Sequence, residues 1–188
     1  MSREQVAQSR RTIVEAAGRL FRERGFAAVT VAEIMKAAGL THGGFYGYFK
    51  SKDDLIAQAL AEALSSAAGP SGDLADYAAK YLSPAHRDNL AGGCAMAALA
   101  SETIRQDGRA RAAMTAGLKR QIEDLSRAAA GANPADRRRA AIGSWAAMVG
   151  AVILARMSDD PRLSGDILDQ TRAWLVAKDR KPSRHKAR

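Results

Sequence analysis

The segment between Thr41 and Lys52, THGGFYGYFKSK, concentrates side chains suited to binding a phosphate backbone. Tyrosine and threonine hydroxyls donate hydrogen bonds to phosphate oxygens, and tyrosine rings contact sugars or thymine methyl groups. Gly43 and Gly44 each cost about 0.5–1 kcal/mol in a helix relative to alanine, so this short segment departs from the usual avoidance of glycine inside helices. Such breaks often mark function, because a missing side chain lets the backbone approach a ligand closely. The predicted chemistry is nucleic-acid binding rather than catalysis.

Two short helices joined by a glycine turn are predicted to position this segment. Thr30, with a glutamate three residues later, is a capping-box signature that starts one helix, and Gly39 is expected to end it. A second helix is expected over residues 42–48, where Phe45 and Phe49, four residues apart, share one buried face. This order is that of a helix-turn-helix, whose second helix enters the major groove of DNA.

The face opposite these phenylalanines carries the candidate DNA contacts. Lys52, in the first turn of the following helix, can pair with phosphate, and Thr30 can offer its hydroxyl and the helix N-terminal amides to another. The predicted DNA-binding residues are Thr30, Thr41, His42, Gly43, Tyr46, Gly47, Tyr48 and Lys52. The alternatives are that the aromatic cluster is plain core, that the glycines form a loop, and that His42 is an exposed flanking residue.

Composition and charge agree with a helical protein that binds a polyanion. Hydrophobic residues make up 47% and aromatic residues only 5% of the 188 residues, which favours helices packed through small side chains. The net charge of +9 is uneven: residues 1–52 hold nine basic and four acidic residues, and residues 178–188 hold six and one. A basic excess in one module suggests a polyanion partner there, although a solvated basic surface has the same signature.

The remaining sequence predicts further helices and no strand. Helices are expected near 4–24, from Ser51 to about Ala67, and near 73–82, 91–106, 109–130, 134–157 and 163–178. We therefore predict an all-α fold with an N-terminal three-helix helix-turn-helix domain (1–50), a helical ligand-binding and dimerisation domain (51–178), and a disordered basic tail (179–188). No run of 18 uncharged apolar residues and no apolar signal core is present, so we expect a cytoplasmic protein without a membrane partner.

Residues 30–52 resemble the DNA-binding domain of the TetR/AcrR family of transcriptional regulators. The family pattern is a Thr-led helix, a Gly turn, then Ser/Thr-x-Gly-x-x-Tyr-x-His/Tyr-Phe-x-Ser/Asn-Lys-Asp/Glu-x-Leu. In this chain the last run is THGGFYGYFKSKDDL, from Thr41 to Leu55, and the resemblance extends over residues 8–60. It implies DNA contacts by the residues predicted above, whereas at Gly47 many relatives carry a larger residue, which places a base contact there in doubt.

The resemblance also implies an effector pocket in the second domain, enclosed by its first helices. Apolar walls with a few hydroxyls would suit a mostly apolar small molecule. The candidate lining residues are Tyr77, Tyr81, Met96, Leu99, Thr103, Met114, Leu118, Trp145 and Met148. Each of them could equally be plain core.

Two apolar stripes near the C-terminus are candidate dimer surfaces. In the resembled family the last two helices pair across a two-fold axis as a four-helix bundle, and two copies double the DNA-reading helices. The candidate interface residues are Ile142, Trp145, Val149, Val152, Ile153, Ile167, Leu168, Thr171, Trp174 and Leu175. The alternative is that both stripes face the core of their own chain.

No catalytic or metal-binding pattern is recognised in the sequence. HExxH, CxxC, Walker and GxSxG motifs are absent, so we predict no enzyme, no metal and no cofactor. Cys94, the single cysteine, is either a small core residue or a reactive thiol at a helix start. The rival functions are an enzyme with Cys94 as nucleophile and a sequence-blind DNA-architecture protein. The sequence favours a ligand-responsive transcriptional regulator, a repressor rather than an activator, that binds a palindromic operator in double-stranded DNA as a homodimer.

Overall fold

The computed structural model describes residues 2–67, 69–70 and 72–179. Within these ranges the chain forms nine α-helices, one 3-10 helix and no strand, which confirms the predicted all-α class. The α-helices are α1 (Arg3–Arg24), α2 (Val31–Ala37), α3 (Lys52–Ser65), α4 (Leu74–Tyr81), α5 (Pro84–Asp88), α6 (Ala95–Thr103), α7 (Gly108–Ala128), α8 (Pro134–Met157) and α9 (Pro161–Asp179), and the 3-10 helix is His42–Gly47. Apart from Asp179, the predicted tail 179–188 lies outside the described residues.

The described residues group into two compact units. The first is Met1–Ala67 with Leu90–Gly117, and the second is Ala68–Asn89 with Leu118–Arg188. The first half of α7, up to Gly117, therefore belongs to the first unit, and its second half, from Leu118, belongs to the second unit. The predicted boundary after residue 50 falls inside the first unit, because α3 packs along α1. The assignment of functions to domains stays a prediction.

The first unit is built around α1. Ser2 caps this helix with a capping box, and its inward side chains, among them Ile13 and Phe21, are fully buried. The ring of Phe21 meets that of Phe26 edge-on at 5.3 Å, so the turn after α1 is anchored in the core. Helices α2, α3 and α6 all pack on α1, which makes it the scaffold for the helix-turn-helix.

The second unit has a core formed by α8 and α9, with α4 packed on α9 and α5 packed on α8. Trp145 and Leu168 are buried in this core. The guanidinium of Arg156 donates to the carbonyls of His86 and Arg87, at 3.0 and 2.9 Å, and thereby fixes α5. Sequence reasoning missed α5, because a five-residue helix is too short to show apolar periodicity.

Helix α8 is the one helix in the described ranges that is long and apolar enough to cross a membrane, by length and composition alone. The core helix of a soluble protein passes the same test. Here α8 buries Ala141, Trp145, Met148 and Val152 within its own unit, so its apolar character is used in packing.

Candidate nucleic-acid interface and ligand pocket

The 3-10 helix follows a tight turn at Gly39, which has a φ of +72° that glycine adopts without strain. Behind it, Phe45 and Phe49 are 1% and 2% exposed, and their rings stack with centroids 5.6 Å apart. The predicted α-helix over 42–48 is therefore a 3-10 helix over 42–47. Three glycines in six residues account for this difference, since they weaken the α-helix and leave little side-chain packing to extend it.

The opposite face of the 3-10 helix is open. The Tyr46 side chain is 75% exposed, and a Cβ placed on Gly43 or Gly47 would meet nothing within 4 Å. Thr41 and His42 are also exposed, whereas Tyr48 is half-buried. Five of the predicted contact residues, Thr41, His42, Gly43, Tyr46 and Gly47, are thus exposed to solvent; their binding to DNA stays a prediction.

Thr30 caps α2 as predicted, but its hydroxyl is already used inside the protein. It accepts from the Glu33 amide at 3.2 Å and donates to the Glu33 carboxylate at 2.7 Å. A phosphate at this helix start would therefore meet backbone amides, and the Thr30 hydroxyl could bind it only by leaving the carboxylate.

The Glu33 carboxylate carries a testable consequence. The backbone amide of Thr30, the Arg24 guanidinium at 2.7 Å and the Thr30 hydroxyl together lower the pKa of Glu33 from 4.5 to about 2. Because the folded-state pKa is depressed, this stabilisation is complete above pH 4.5 and is lost as pH falls toward 2. We expect an NMR titration of the Glu33 carboxyl to show a midpoint near 2, with Arg24→Ala raising it only part-way. A midpoint at the ordinary value of 4.5 would contradict this capping geometry.

Lys52 has a structural role in addition to its predicted one. Its ammonium donates to the carbonyl of Phe26, across 26 residues of chain, and so ties the start of α3 to the turn after α1. An ammonium has three donors, so a phosphate contact remains available. Loss of Lys52 is therefore expected to remove the hydrogen bond to the Phe26 carbonyl and to weaken DNA binding.

Arg10, which sequence reasoning missed, holds the end of the 3-10 helix. Its guanidinium donates to the Tyr48 carbonyl and to Gln58, and lies 4.6 Å from the ring centroid of Phe49. Asp54 continues the network by accepting from the Lys50 amide at 3.1 Å. No local spacing could have revealed these contacts, because Arg10 lies 38 residues before Tyr48.

Asp54 also joins α3 to α7. Its carboxylate accepts from Gln58 at 3.0 Å and from Arg109 at 3.3 Å. Burial raises the pKa of Asp54, but the Lys50 amide, Gln58 and Arg109 outweigh it, so the pKa is lowered overall. The carboxylate therefore stays ionised and links the first turn of α7 to the residues that follow the 3-10 helix.

The second unit contains a pocket of about 380 Å³. Its lining mixes aromatic rings, backbone and charged groups. It is lined by Gly69, Gly72, Asp76, Tyr77, Lys80, Tyr81 and His86. Of the nine predicted pocket residues, Tyr77 and Tyr81 line it, and Trp145 packs edge-on against Tyr81 at 5.1 Å.

The other predicted pocket residues are placed differently. Met96, Leu99 and Thr103 are buried in the first unit, where the Thr103 hydroxyl donates to the Leu99 carbonyl at 2.8 Å. Met114 is half-buried in that unit, Leu118 is 38% exposed, and Met148 is buried in the core of the second unit. None of these six lines the pocket described above, and a role in ligand binding stays a prediction for them.

His86, one of the lining residues of this pocket, packs against Tyr81. It lies in α5, half-buried, with Nδ1 at 2.7 Å from the Tyr81 carbonyl and its ring 4.4 Å from that of Tyr81. Since a carbonyl only accepts, Nδ1 carries the proton. Burial lowers the pKa of His86, and nearby Arg156 lowers it further against the opposing hydrogen bond, so the ring is neutral at pH 7.

The family model described as "Bacterial regulatory proteins, tetR family" matches residues 13–59, from α1 through the 3-10 helix into α3. Residues 13–59 are therefore a TetR-family DNA-binding domain. Among curated relatives, the HTH-type transcriptional regulator TtgR of Pseudomonas putida is 41% identical over 63 residues. That alignment covers 34% of this chain and 30% of TtgR, so the chain spans under a third of the relative's length.

Solved structures extend the likeness to the second unit. E. coli NemR in its reduced form is 22% identical with a TM-score of 0.70, over 90% of this chain and 96% of that one. AibR, in complex with isovaleryl coenzyme A and operator DNA, is 20% identical with a TM-score of 0.59, over 89% of this chain and 97% of that one. At these identities the likeness shows the fold alone.

The predicted dimer residues differ in how deeply they are buried. Trp145, Val152, Leu168 and Leu175 are at most 5% exposed within their own unit, so they have little surface to offer a partner. Ile142, Ile153 and Trp174 are 43%, 42% and 51% exposed, and Val149, Ile167 and Thr171 are half-buried. Sequence reasoning missed Leu154, Met157 and Leu163, which are exposed on the same two helices.

Cys94 is half-buried and immediately precedes α6. Both predicted roles, core residue and reactive thiol, stay predictions. Across the described residues, no group of three or more His, Cys, Asp or Glu side chains could hold a metal ion.

Glu102, in the last turn of α6, holds the turn between α1 and α2. Its carboxylate accepts from the Phe26 amide at 2.8 Å, and a Cβ on Gly25 would lie 2.4 Å from it. Gly25 also has a φ of +82°, so both geometry and space require glycine at this point.

We expect Glu102→Ala to destabilise the first unit by about 1–3 kcal/mol, because a part-buried amide loses its charged acceptor. The measurement is amide hydrogen exchange at Phe26 together with the urea unfolding midpoint. Glu102→Gln, which keeps an acceptor oxygen, should retain most of the protection. Equal protection in wild type and Glu102→Ala would show that this bond does not hold the turn.

Proposed function

We propose that this TetR-family chain is a transcriptional repressor that binds a palindromic operator as a homodimer and is released by a small molecule. The observation that carries the proposal is the exposure of Tyr46, 75%, on a 3-10 helix whose Phe45 is 1% exposed. A helix anchored from behind by buried rings, with an open polar front, suits insertion into the major groove.

Charge around the 3-10 helix supports double-stranded DNA as the partner. Lys36, before the 3-10 helix in sequence, and Lys50, after it, are both exposed. The ammonium of Lys52 keeps donors for phosphate. Residues 1–52 carry nine basic and four acidic side chains. In this proposal, phosphate contacts by these groups position the helix, and Tyr46 and His42 contact base edges.

The exposed apolar side chains of α8 and α9 support a homodimer. Leu163, Ile167, Thr171 and Trp174 recur along α9 at helical spacing, and Leu163 and Trp174 are each 51% exposed. A two-fold axis would pair this stripe with its copy and give two reading helices for two half-sites.

The proposed mechanism is a binding equilibrium in the cytoplasm rather than catalysis. An effector that binds one conformation better shifts the population away from DNA, and coupling of about 1–3 kcal/mol gives roughly 5–150-fold release. Two hydrogen bonds would transmit a displacement of α6 or α7 to the helix-turn-helix. Glu102 holds the Phe26 amide, and Arg109 pairs with Asp54 next to the 3-10 helix. A repressor needs no contact beyond occupation of the promoter.

Selection of bound DNA from a random pool tests the proposal. We expect enrichment of a two-fold symmetric sequence that binds roughly 10³-fold or more tightly than bulk DNA. Uniform affinity for all sequences would instead indicate a sequence-blind DNA-architecture protein, and no binding would remove the proposed function altogether.

A further inference from the structure

The pocket in the second unit has aromatic walls. The rings of Tyr77 and Tyr81 lie 6.0 Å apart at 26°, and Tyr81 also contacts the rings of His86 and Trp145. The four rings form one connected cluster, of which Tyr77, Tyr81 and His86 line the cavity. Aromatic faces favour offset-stacked or edge-on contact with another ring.

The Tyr77 ring is held in place at its far end. Gln121 is 8% exposed and donates from its side-chain amide to the Tyr77 hydroxyl at 3.0 Å. This bond engages the hydroxyl of Tyr77, a residue that lines the cavity. A fixed ring loses little freedom when a ligand stacks on it.

The charge of the lining sums to zero. Asp76 and Lys80 bear opposite charges, both are exposed, and the half-buried ring of His86 is neutral because burial and the nearby Arg156 lower its pKa. A charged ligand would therefore enter a site that offers it no net opposite charge. The volume of about 380 Å³ is near the lower end of the range for small-molecule sites, about 300–1,000 Å³.

We propose that the effector of this protein is an uncharged planar aromatic compound of one or two rings, bound in this pocket against Tyr77, Tyr81 and His86. The regulatory role of this ligand rests on the proposed function, whereas its binding in the pocket does not. It replaces the expectation of a generally apolar ligand with a specific requirement for an aromatic ring.

Calorimetric titration of the full chain with a matched pair of probes tests the binding. Naphthol is planar and aromatic, and decalol is the saturated alcohol on the same carbon skeleton. We expect naphthol to bind about 10-fold more tightly than decalol, because only a flat aromatic ring can stack on the ring of Tyr77. Equal affinity for the two probes, or no binding of naphthol, would overturn the proposal.

Two substitutions at one position keep the test independent of folding. Tyr77→Phe retains the ring and should bind naphthol within about 3-fold of wild type, whereas Tyr77→Leu should lose about 10-fold or more. Glu123→Ala, an exposed residue of α7, serves as the unaffected control. Equal loss in Tyr77→Phe and Tyr77→Leu would show that the ring face is not what binds.

Operator release is measured separately on the selected DNA. Naphthol that binds the protein and displaces DNA supports the whole proposal, and naphthol that binds without displacing DNA overturns its role as effector class. If no DNA is selected at all, the proposed function fails. The pocket assignment is then still decided by the relative affinities of naphthol and decalol.

Discussion

Replacement of Tyr46 by alanine is expected to weaken operator binding by about 30-fold or more without unfolding the protomer. Loss of a contact to a base edge costs about 1–3 kcal/mol, and a homodimer would lose it in both half-sites. The Tyr46 side chain is 75% exposed, so its removal takes little apolar surface out of the core. Its main contact within the protein is the edge of the Phe45 ring at 5.3 Å.

The measurement is a titration of the selected operator, followed by fluorescence anisotropy at fixed salt. Tyr46→Phe is the matched control, because it removes the hydroxyl and keeps the ring. A loss in both variants assigns the contact to the hydroxyl, and a loss in Tyr46→Ala alone assigns it to the ring. Unchanged affinity in Tyr46→Ala would remove Tyr46 from the interface.

Replacement of the neighbouring residue, Phe45, is expected to act on stability instead. Phe45 is 1% exposed and stacks on Phe49, so Phe45→Ala should lower the free energy of unfolding by about 3–5 kcal/mol. The cost combines lost burial with a cavity behind the 3-10 helix, because Arg10 and the buried Phe49 hold the surrounding segment in place.

Urea unfolding followed by circular dichroism measures this effect. Phe45→Leu is the matched control and should recover part of the loss, since it refills some of the cavity. Tyr46→Ala should unfold at the wild-type midpoint. If Phe45→Ala kept the wild-type midpoint, the 3-10 helix would not be anchored from behind, and the open front face would lose its structural basis.

Local signals predicted the helix-turn-helix well. The capping box at Thr30 and the side-chain cap at Ser51 lie where α2 and α3 begin, and Gly39 forms the turn. Caps and turns depend on residues within three or four positions of one another, so a sequence displays them directly. The burial of Phe45 and Phe49 on one face was predicted from their spacing in the same way.

Long-range contacts could not be predicted. Arg10 on the Tyr48 carbonyl, Glu102 on the Phe26 amide and Lys52 on the Phe26 carbonyl join residues 26 to 76 positions apart. A sequence shows that such side chains can form hydrogen bonds but not with which partner. The same limit applies to α5, where the carbonyl of His86 accepts from Arg156 of α8.

The dimer stripes show a third kind of difference. Spacing placed Trp145, Val152 and Ile153 on one apolar face, but α8 is apolar around much of its circumference. Periodicity alone cannot divide such a helix between its own core and a partner. In the structure Val152 is fully buried, whereas the next residue, Ile153, is 42% exposed.

In the proposed complex, the open face of the 3-10 helix lies in the major groove of DNA. Gly43 offers a direct test, because a side chain there would meet nothing within 4 Å and the single native cysteine, Cys94, can be replaced by alanine. In that background, Gly43→Cys would carry an iron chelate that cuts nearby DNA. Gly165→Cys on α9, where space is equally open, is the control.

We predict that the label at position 43 cuts the selected operator within both half-sites, and that the label at position 165 leaves it intact. Cutting by the position-165 label alone, or equal cutting by both, would contradict the account.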